Sequence, residues 1–130
     1  MELRPLGTNG PLVSVLGLGT VKLGRTTGVK YPTPFVVPTD GEARVLLDTA
    51  RELGINLIDT APAYGTSEER LGALIGGTPN GWKDWVICTK VGEEFDGTGG
   101  GRSHYDFSAQ AVRRSVERSL RRLKCAPSMS

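Results

Sequence analysis

Asp59, Tyr64 and Lys90 are the residues of this sequence whose types and positions suit acid–base chemistry. Asp59 directly follows Leu57-Ile58 and Lys90 directly follows Cys88-Thr89, so each ends a short apolar run that reads as a buried strand. In neighbouring parallel strands about 4.8 Å apart, the carboxylate and the ammonium reach one another. Tyr64 lies in the loop Thr60-Ala61-Pro62-Ala63-Tyr64-Gly65, where Pro62 stiffens the return and brings the phenol over the pair. A phenol with an ordinary pKa of about 10 is too weak an acid to be matched to neutral pH. A neighbouring ammonium lowers that pKa, and Asp59 would hold the ammonium charged and aimed. Tyr64 then serves as general acid to a carbonyl oxygen receiving a hydride, or as general base to an alcohol in the reverse direction. Spacing alone leaves a structural reading open, with Asp59 capping its loop, Lys90 on a solvated strand end and Tyr64 packed at the surface.

The elements that must position these residues alternate. Leu and Val over residues 3–8 and 12–16 predict a hairpin, with Asn9-Gly10 as its tight turn. Residues 15–19 read as a buried strand running into Gly17-Leu18-Gly19-Thr20, and residues 21–39, with Pro32, Pro34 and Pro38, read as a loop. Thr39 and Glu42 have capping-box spacing and open a helix whose apolar face is Ala43, Leu46, Leu47, Ala50 and Leu53, ended by Gly54. Residues 55–58 predict a second strand. A shorter helix follows from Thr66 or Ser67, with Glu68 and Glu69 set favourably at its positive end and Leu71, Leu74 and Ile75 buried. Residues 85–89 predict a third strand, and a Gly-rich loop through Gly97 and Gly99-Gly100-Gly101 leads to Ser108 as the cap of a last helix. That helix carries Ala109, Val112, Val116, Leu120 and Leu123 at helical spacing. Apolar strands alternating with amphipathic helices predict an α/β fold with a parallel sheet. The strand ends at Gly19-Thr20, Asp59 and Lys90 then converge on one rim.

Composition narrows the function classes. The chain has 130 residues with 38% hydrophobic and 23% charged residues, which is ordinary for a globular fold and excludes compositional disorder. A complete (β/α)₈ barrel needs at least about 200 residues and is excluded for these 130. No apolar run approaches the length of a membrane span and the first residues lack a secretory core, so a soluble, cytoplasmic protein without a membrane partner is expected. Cys88 and Cys125 stand far apart with no second Cys or His nearby, which predicts two buried or idle thiols and no metal site. With 16 basic against 14 acidic residues, no field implies a nucleic-acid partner. The basic last helix, with Arg113, Arg114, Arg118, Arg121, Arg122 and Lys124 against Glu117, is read as a solvated outer face.

The motifs carry a resemblance. Gly17-Leu18-Gly19-Thr20, Asn56-Leu57-Ile58-Asp59-Thr60-Ala61-Pro62-Ala63-Tyr64-Gly65 with Ser67-Glu68 and Leu71-Gly72, and Ile87-Cys88-Thr89-Lys90-Val91-Gly92 resemble the aldo-keto reductases. The segment Arg113-Arg114-Ser115-Val116-Glu117-Arg118-Ser119-Leu120-Arg121-Arg122-Leu123 is similar to the family's stretch before its fourth strand, so the resemblance runs from about Leu3 to Leu123. It implies a partial (β/α)₈ TIM barrel, an N-terminal hairpin across the bottom plus about three βα units. It further implies NADPH-linked reduction of aldehydes or ketones, or oxidation of sugars or alcohols in reverse. Tyr64 matches the proton donor, Lys90 the residue that lowers its pKa and Asp59 the partner of that lysine. Gly19, Thr20 and Asp59 match positions beside the cofactor, and the 21–39 loop matches regions of the nicotinamide and substrate pockets.

The family's fourth catalytic residue is a His ending its fourth strand, and this sequence has no match to it. Cys125-Ala126-Pro127-Ser128-Met129-Ser130 departs from the pattern, and the only histidine, His104, lies in the loop after the third strand. Residues 1–124 are therefore expected to form the N-terminal part of a barrel and 125–130 a non-matching tail. Most residues of the family's NADPH site lie beyond these strands, so the chain alone is expected to be inactive and to self-associate through its uncovered strand edge. Some relatives bind cofactor as regulatory subunits, which leaves a non-catalytic reading beside the enzymatic one. Lys22 stands where a Rossmann fingerprint needs its next glycine, which argues against that nucleotide site. A Schiff-base role for Lys90 conflicts with an adjacent Asp59, because that chemistry needs a neutral amine. Gly97-Thr98-Gly99-Gly100-Gly101-Arg102 is read as a flexible loop in preference to a phosphate cradle.

Overall fold

The computed structural model describes residues 1–29, 31–33, 35–96 and 101–125. β1 (Leu3–Pro5) pairs antiparallel with β2 (Leu12–Ser14) in the expected hairpin, but its turn is not the tight Asn9-Gly10 one. The left-handed residue is Gly7, at φ +75°, and Leu6 N–H bonds the Pro11 carbonyl at 2.9 Å. Pro5 and Pro11 have no N–H to continue the ladder, so pairing stops early and a wider connection follows. Asn56 fastens this hairpin to the sheet. Its Oδ1 accepts from Ser14 N–H at 2.7 Å, and its Nδ2 donates to the Leu12 carbonyl at 2.9 Å.

β3 (Gly17–Gly19), β4 (Leu57–Asp59) and β5 (Val86–Cys88) form a parallel sheet in that order. Gly19 lies opposite Asp59, and Asp59 opposite Cys88, so the chemically interesting ends share one edge while Asn56 and the hairpin occupy the other. The connection after β3 holds a short helix, α1 (Val21–Gly24), where the sequence predicted only loop. α2 (Asp40–Glu52) begins with the predicted capping box: Glu42 N–H bonds the Thr39 hydroxyl at 3.2 Å and Thr39 N–H bonds the Glu42 carboxylate at 2.9 Å. Its buried face is Ala43, Leu47 and Ala50, whereas Leu46 and Leu53 are exposed. α3 (Ser67–Leu71) runs into a π-type turn, Gly72–Gly76, and α4 (Ala109–Leu123) closes the third βα unit. The core is Ile58 of the central strand with Leu23, Leu47, Leu71, Leu74, Ile75 and Leu123. Hairpin and three βα units agree with the expected portion of a barrel.

Two departures bear on the site. The expected loop after β5 contains a second hairpin, β6 (Glu93–Asp96) antiparallel to β7 (Arg102–Tyr105), which includes His104. Gly97 to Gly100, read as flexible loop, and residues 126–130 of the tail lie outside the described residues. The second departure is α4, which buries Ser115, Ser119 and Leu123, whereas Val116 is exposed and Val112 and Leu120 half-buried. Its apolar stripe and β5 instead line an open groove of about 380 Å³, with Ile87, Val91, Val116 and Leu120 on its walls. Of the two thiols, expected to be buried or idle, Cys88 is exposed and Cys125 half-buried, and both are free. Among the described residues no helix is long and apolar enough to cross a membrane.

Gly72 sets how closely α4 approaches α3. A Cβ there would fall 1.8 Å from the Arg122 carbonyl oxygen, a backbone atom that moves only if α4 moves. Gly72→Ala is therefore expected to cost about 1–3 kcal/mol, read as a lowered urea midpoint of the chain. Gly77→Ala is the control, since its nearest neighbour would be the flexible Lys124 ammonium at 3.5 Å.

Candidate active site

Lys90, which follows β5, is the centre of the cluster. Its ammonium donates to Asp59 Oδ1 at 3.0 Å and Oδ2 at 2.9 Å, to the Thr60 carbonyl at 2.9 Å and to the Tyr64 hydroxyl at 3.4 Å. The three residues singled out in the sequence are thus brought together. The tyrosine contact is the longest of the four. Partial burial acts to lower the Lys90 pKa. The hydrogen bonds that Lys90 donates to Asp59 and Tyr64 and the charge of Asp59 outweigh it, and the lysine's pKa is raised above its ordinary value. A lysine held this firmly as ammonium does not form a Schiff base at neutral pH.

The loop carrying Tyr64 is fixed at several points. Thr60, Ala61, Pro62 and Ala63 are all buried, and Tyr64 N–H closes a turn on the Ala61 carbonyl at 3.0 Å. Gly65 takes φ +60°, and a Cβ there would lie 1.9 Å from the Gly24 carbonyl oxygen, so only glycine lets this loop settle on α1. Arg25 holds it from outside, donating to the Ala63 carbonyl at 3.0 Å while its guanidinium lies 3.7 Å from the centre of the Phe95 ring.

Of the other predicted site residues, Gly19 lies exposed beside Asp59, and a Cβ added to it would meet nothing within 4 Å. Thr20 is 1% exposed, and its hydroxyl bonds the Asp59 carbonyl at 3.0 Å, so its side chain is engaged within the fold. His104 lies on exposed β7, and among the described residues no group of acidic, His or Cys side chains could hold a metal ion.

The sequence reading missed several contributors. Glu68, read there as a favourable charge at the positive end of a helix, is 1% exposed and accepts from the Thr89 hydroxyl at 2.8 Å and from Arg122 at 3.2 Å. Arg122 and Arg118, read as solvated, turn inward, Arg118 pairing with Glu94. The β6–β7 hairpin and its flanks put Glu93 and Phe107 on the wall of a cavity of about 400 Å³ whose opposite side is Ala61, Ala63, Tyr64 and Lys90. No local pattern marked Glu93 as a site residue; its position becomes visible only once the hairpin is formed.

This arrangement presents a phenol oxygen to a small cavity with an ammonium beside it, which stabilises negative charge developing on that oxygen. The charge state of Lys90 is directly testable. In Asp59→Asn the Lys90 titration midpoint, followed by NMR of the side chain, is expected to fall. Because the folded-state pKa is raised, the stability contributed by the pair is complete through neutral pH and lost as pH rises beyond the lysine range. The difference in urea midpoint between wild type and Asp59→Asn should therefore be constant near neutrality and shrink in alkali. Both side chains are nearly half exposed, so that difference is small.

Comparison with known proteins identifies the family. The profile of the aldo/keto reductase family matches residues 15–127. The chain is 37% identical over 126 residues to L-galactose dehydrogenase of Arabidopsis thaliana, covering 95% of this chain and 35% of that protein. A crystal structure from Pseudomonas aeruginosa, assigned to the aldo-keto reductases, is 61% identical with a TM-score of 0.76, covering 94% of this chain and 43% of that one. The holo form of an aldo-keto reductase from Bacillus halodurans is 35% identical with a TM-score of 0.72, covering 95% of this chain and 37% of that one. The chain thus spans well under half the length of these relatives. With most of its residues inside the family match and the same fold in its structural neighbours, the chain belongs to the aldo/keto reductase family.

Proposed function

We propose that this chain carries the proton-transfer part of an NADPH-linked carbonyl reductase acting on small aldehydes, ketones or open-chain sugars, with Tyr64 as the proton donor. The observation that carries the reading is the Lys90 ammonium, bonded at once to the Asp59 carboxylate and to the Tyr64 oxygen. A substrate carbonyl in the cavity beside Tyr64 accepts its proton as the carbonyl carbon gains a hydride. The phenolate left behind is stabilised by Lys90, which stays protonated because Asp59 and the Thr60 carbonyl hold its remaining protons. In alcohol oxidation the same phenolate receives the proton.

NADPH supplies the hydride when bound. The chain's features fit such a group: the face above Gly19 is open and the half-exposed Asp59 carboxylate beside it can accept a hydrogen bond. Gly19 and Asp59 are the residues assigned to it, with Thr20 acting by holding the Asp59 carbonyl. A cytoplasmic setting, which keeps the two free thiols reduced, completes the reading.

The test joins residues 1–124 to the remaining barrel of the Pseudomonas aeruginosa relative. The chimera is expected to oxidise NADPH with a small aldehyde, and Tyr64→Phe to lower kcat by about 10²–10⁴-fold. NADPH binding without turnover in the parent chimera would instead identify a regulatory, non-catalytic chain. The 130-residue chain alone is expected to show no aldehyde reduction, and measurable turnover would count against that expectation. Through the uncovered edge of β5 and the exposed Val116 of α4 the chain is also expected to self-associate. Light scattering at rising concentration reads this as a mass above that of one chain.

A further inference from the structure

Ser67 and Glu68, adjacent and buried at the start of α3, hold the ends of all three parallel strands. Ser67 Oγ donates to Thr20 Oγ1 at 2.9 Å, and Thr20 Oγ1 donates to the Asp59 carbonyl at 3.0 Å. A hydroxyl has one proton to give, so the 3.1 Å contact between Ser67 and Thr60 is donated by Thr60. The result is a directed chain, Thr60 to Ser67 to Thr20 to the Asp59 carbonyl, that closes the ends of β3 and β4. Glu68 reaches the remaining strand. Its carboxylate accepts from the Thr89 hydroxyl at 2.8 Å, and Arg122 at 3.2 Å supplies the opposing charge that a buried carboxylate needs.

Thr89 is the residue immediately before Lys90, and Ser67-Glu68 closely follow the loop that carries Tyr64. The Thr89–Glu68 hydrogen bond therefore ties the backbone bearing the ammonium to the backbone bearing the phenol. We propose that Glu68 is a positioning residue of this site, acting through the Thr89 hydroxyl to hold Lys90 against Asp59 and Tyr64. If Glu68 served only as a core partner for Arg122, the Thr89 hydroxyl would be dispensable. The catalytic meaning of the tether rests on the reading of Tyr64 and Lys90 given above.

The test follows the Lys90 side-chain titration by NMR in the 130-residue chain, a readout that loss of core stability alone does not move. Thr89→Val removes the donor at nearly constant shape, frees the strand end and lets the ammonium move away from Asp59. The expected result is a midpoint lower by about 0.5–1 pH unit, part of the roughly 1–3 units that a close opposite charge confers. Thr89→Ser restores the hydroxyl and is expected to titrate as wild type. Should a methyl against the carboxylate prevent folding, Thr89→Ala removes the hydroxyl without it and should show the same fall. A wild-type midpoint in folded Thr89→Val or Thr89→Ala, or a fall in Thr89→Ser equal to theirs, overturns the proposal. A lowered midpoint together with an inactive chimera would uphold the tether and refute the catalytic reading, whereas a wild-type midpoint with an active chimera would refute the tether alone.

Discussion

An ammonium has three protons to donate, and in a half-exposed position either water or fixed protein oxygens can take them. Lys90 directs its protons to the Asp59 carboxylate, the Thr60 carbonyl and the Tyr64 hydroxyl. The elements around it are placed so that protein oxygens stand at each of these positions. The carboxylate and carbonyl come from the end of β4, the ammonium from beyond the end of β5, and the phenol from a loop between two elements. Parallel pairing supplies the first two, since Asp59 opposite Cys88 leaves Lys90 just beyond the sheet edge. The third comes from a loop fixed by four consecutive buried residues and a glycine seated on the Gly24 carbonyl.

Polar and apolar packing are divided along the strands. The middle of the sheet is covered by leucines of α1, α2, α3 and α4 and by Leu74 and Ile75 of the π-type turn, and this apolar packing supplies cohesion without direction. At the strand ends three buried hydroxyls and one buried carboxylate take over, and hydrogen bonds are directional where apolar contacts are not. Buried polar groups are costly unless satisfied, and here each of these four is. Asn56 performs a similar task at the opposite end, so the N-terminal hairpin is fastened away from the site.

What could be read from the sequence follows from the range of the interactions involved. The Thr39–Glu42 cap is local, and so is the change from apolar run to Asp59 or Lys90 that marks a strand end. Those features were legible, and with them the α/β order and the three residues of the cluster. The second hairpin was not. Glu93–Asp96 and Arg102–Tyr105 are polar strands without a repeating apolar face, and their pairing is held by contacts to Arg25 and Arg118 from distant parts of the chain. The α4 periodicity was real but only partly marked the buried face: Leu123 reaches the core, whereas Val116 is exposed and Ser115 and Ser119 are buried, and at Gly72 backbone approaches backbone. Glu68 does lie in the first turn of α3, as read, but its partners lay beyond the reach of that reading. Next to a helix start a glutamate reads as a dipole partner, and only the fold brings Thr89 and Arg122 to it.

The central claim is that a charged Lys90 assists the Tyr64 oxygen, and substitution of the lysine itself tests it most directly. In the chimera described above, Lys90→Met keeps the length of the side chain and removes its charge. The account predicts a kcat lower by about 10²–10³-fold with KM within about threefold of the parent, the signature of an interaction made in the transition state. A Lys90→Met chimera whose kcat stays within about threefold of the parent would contradict it.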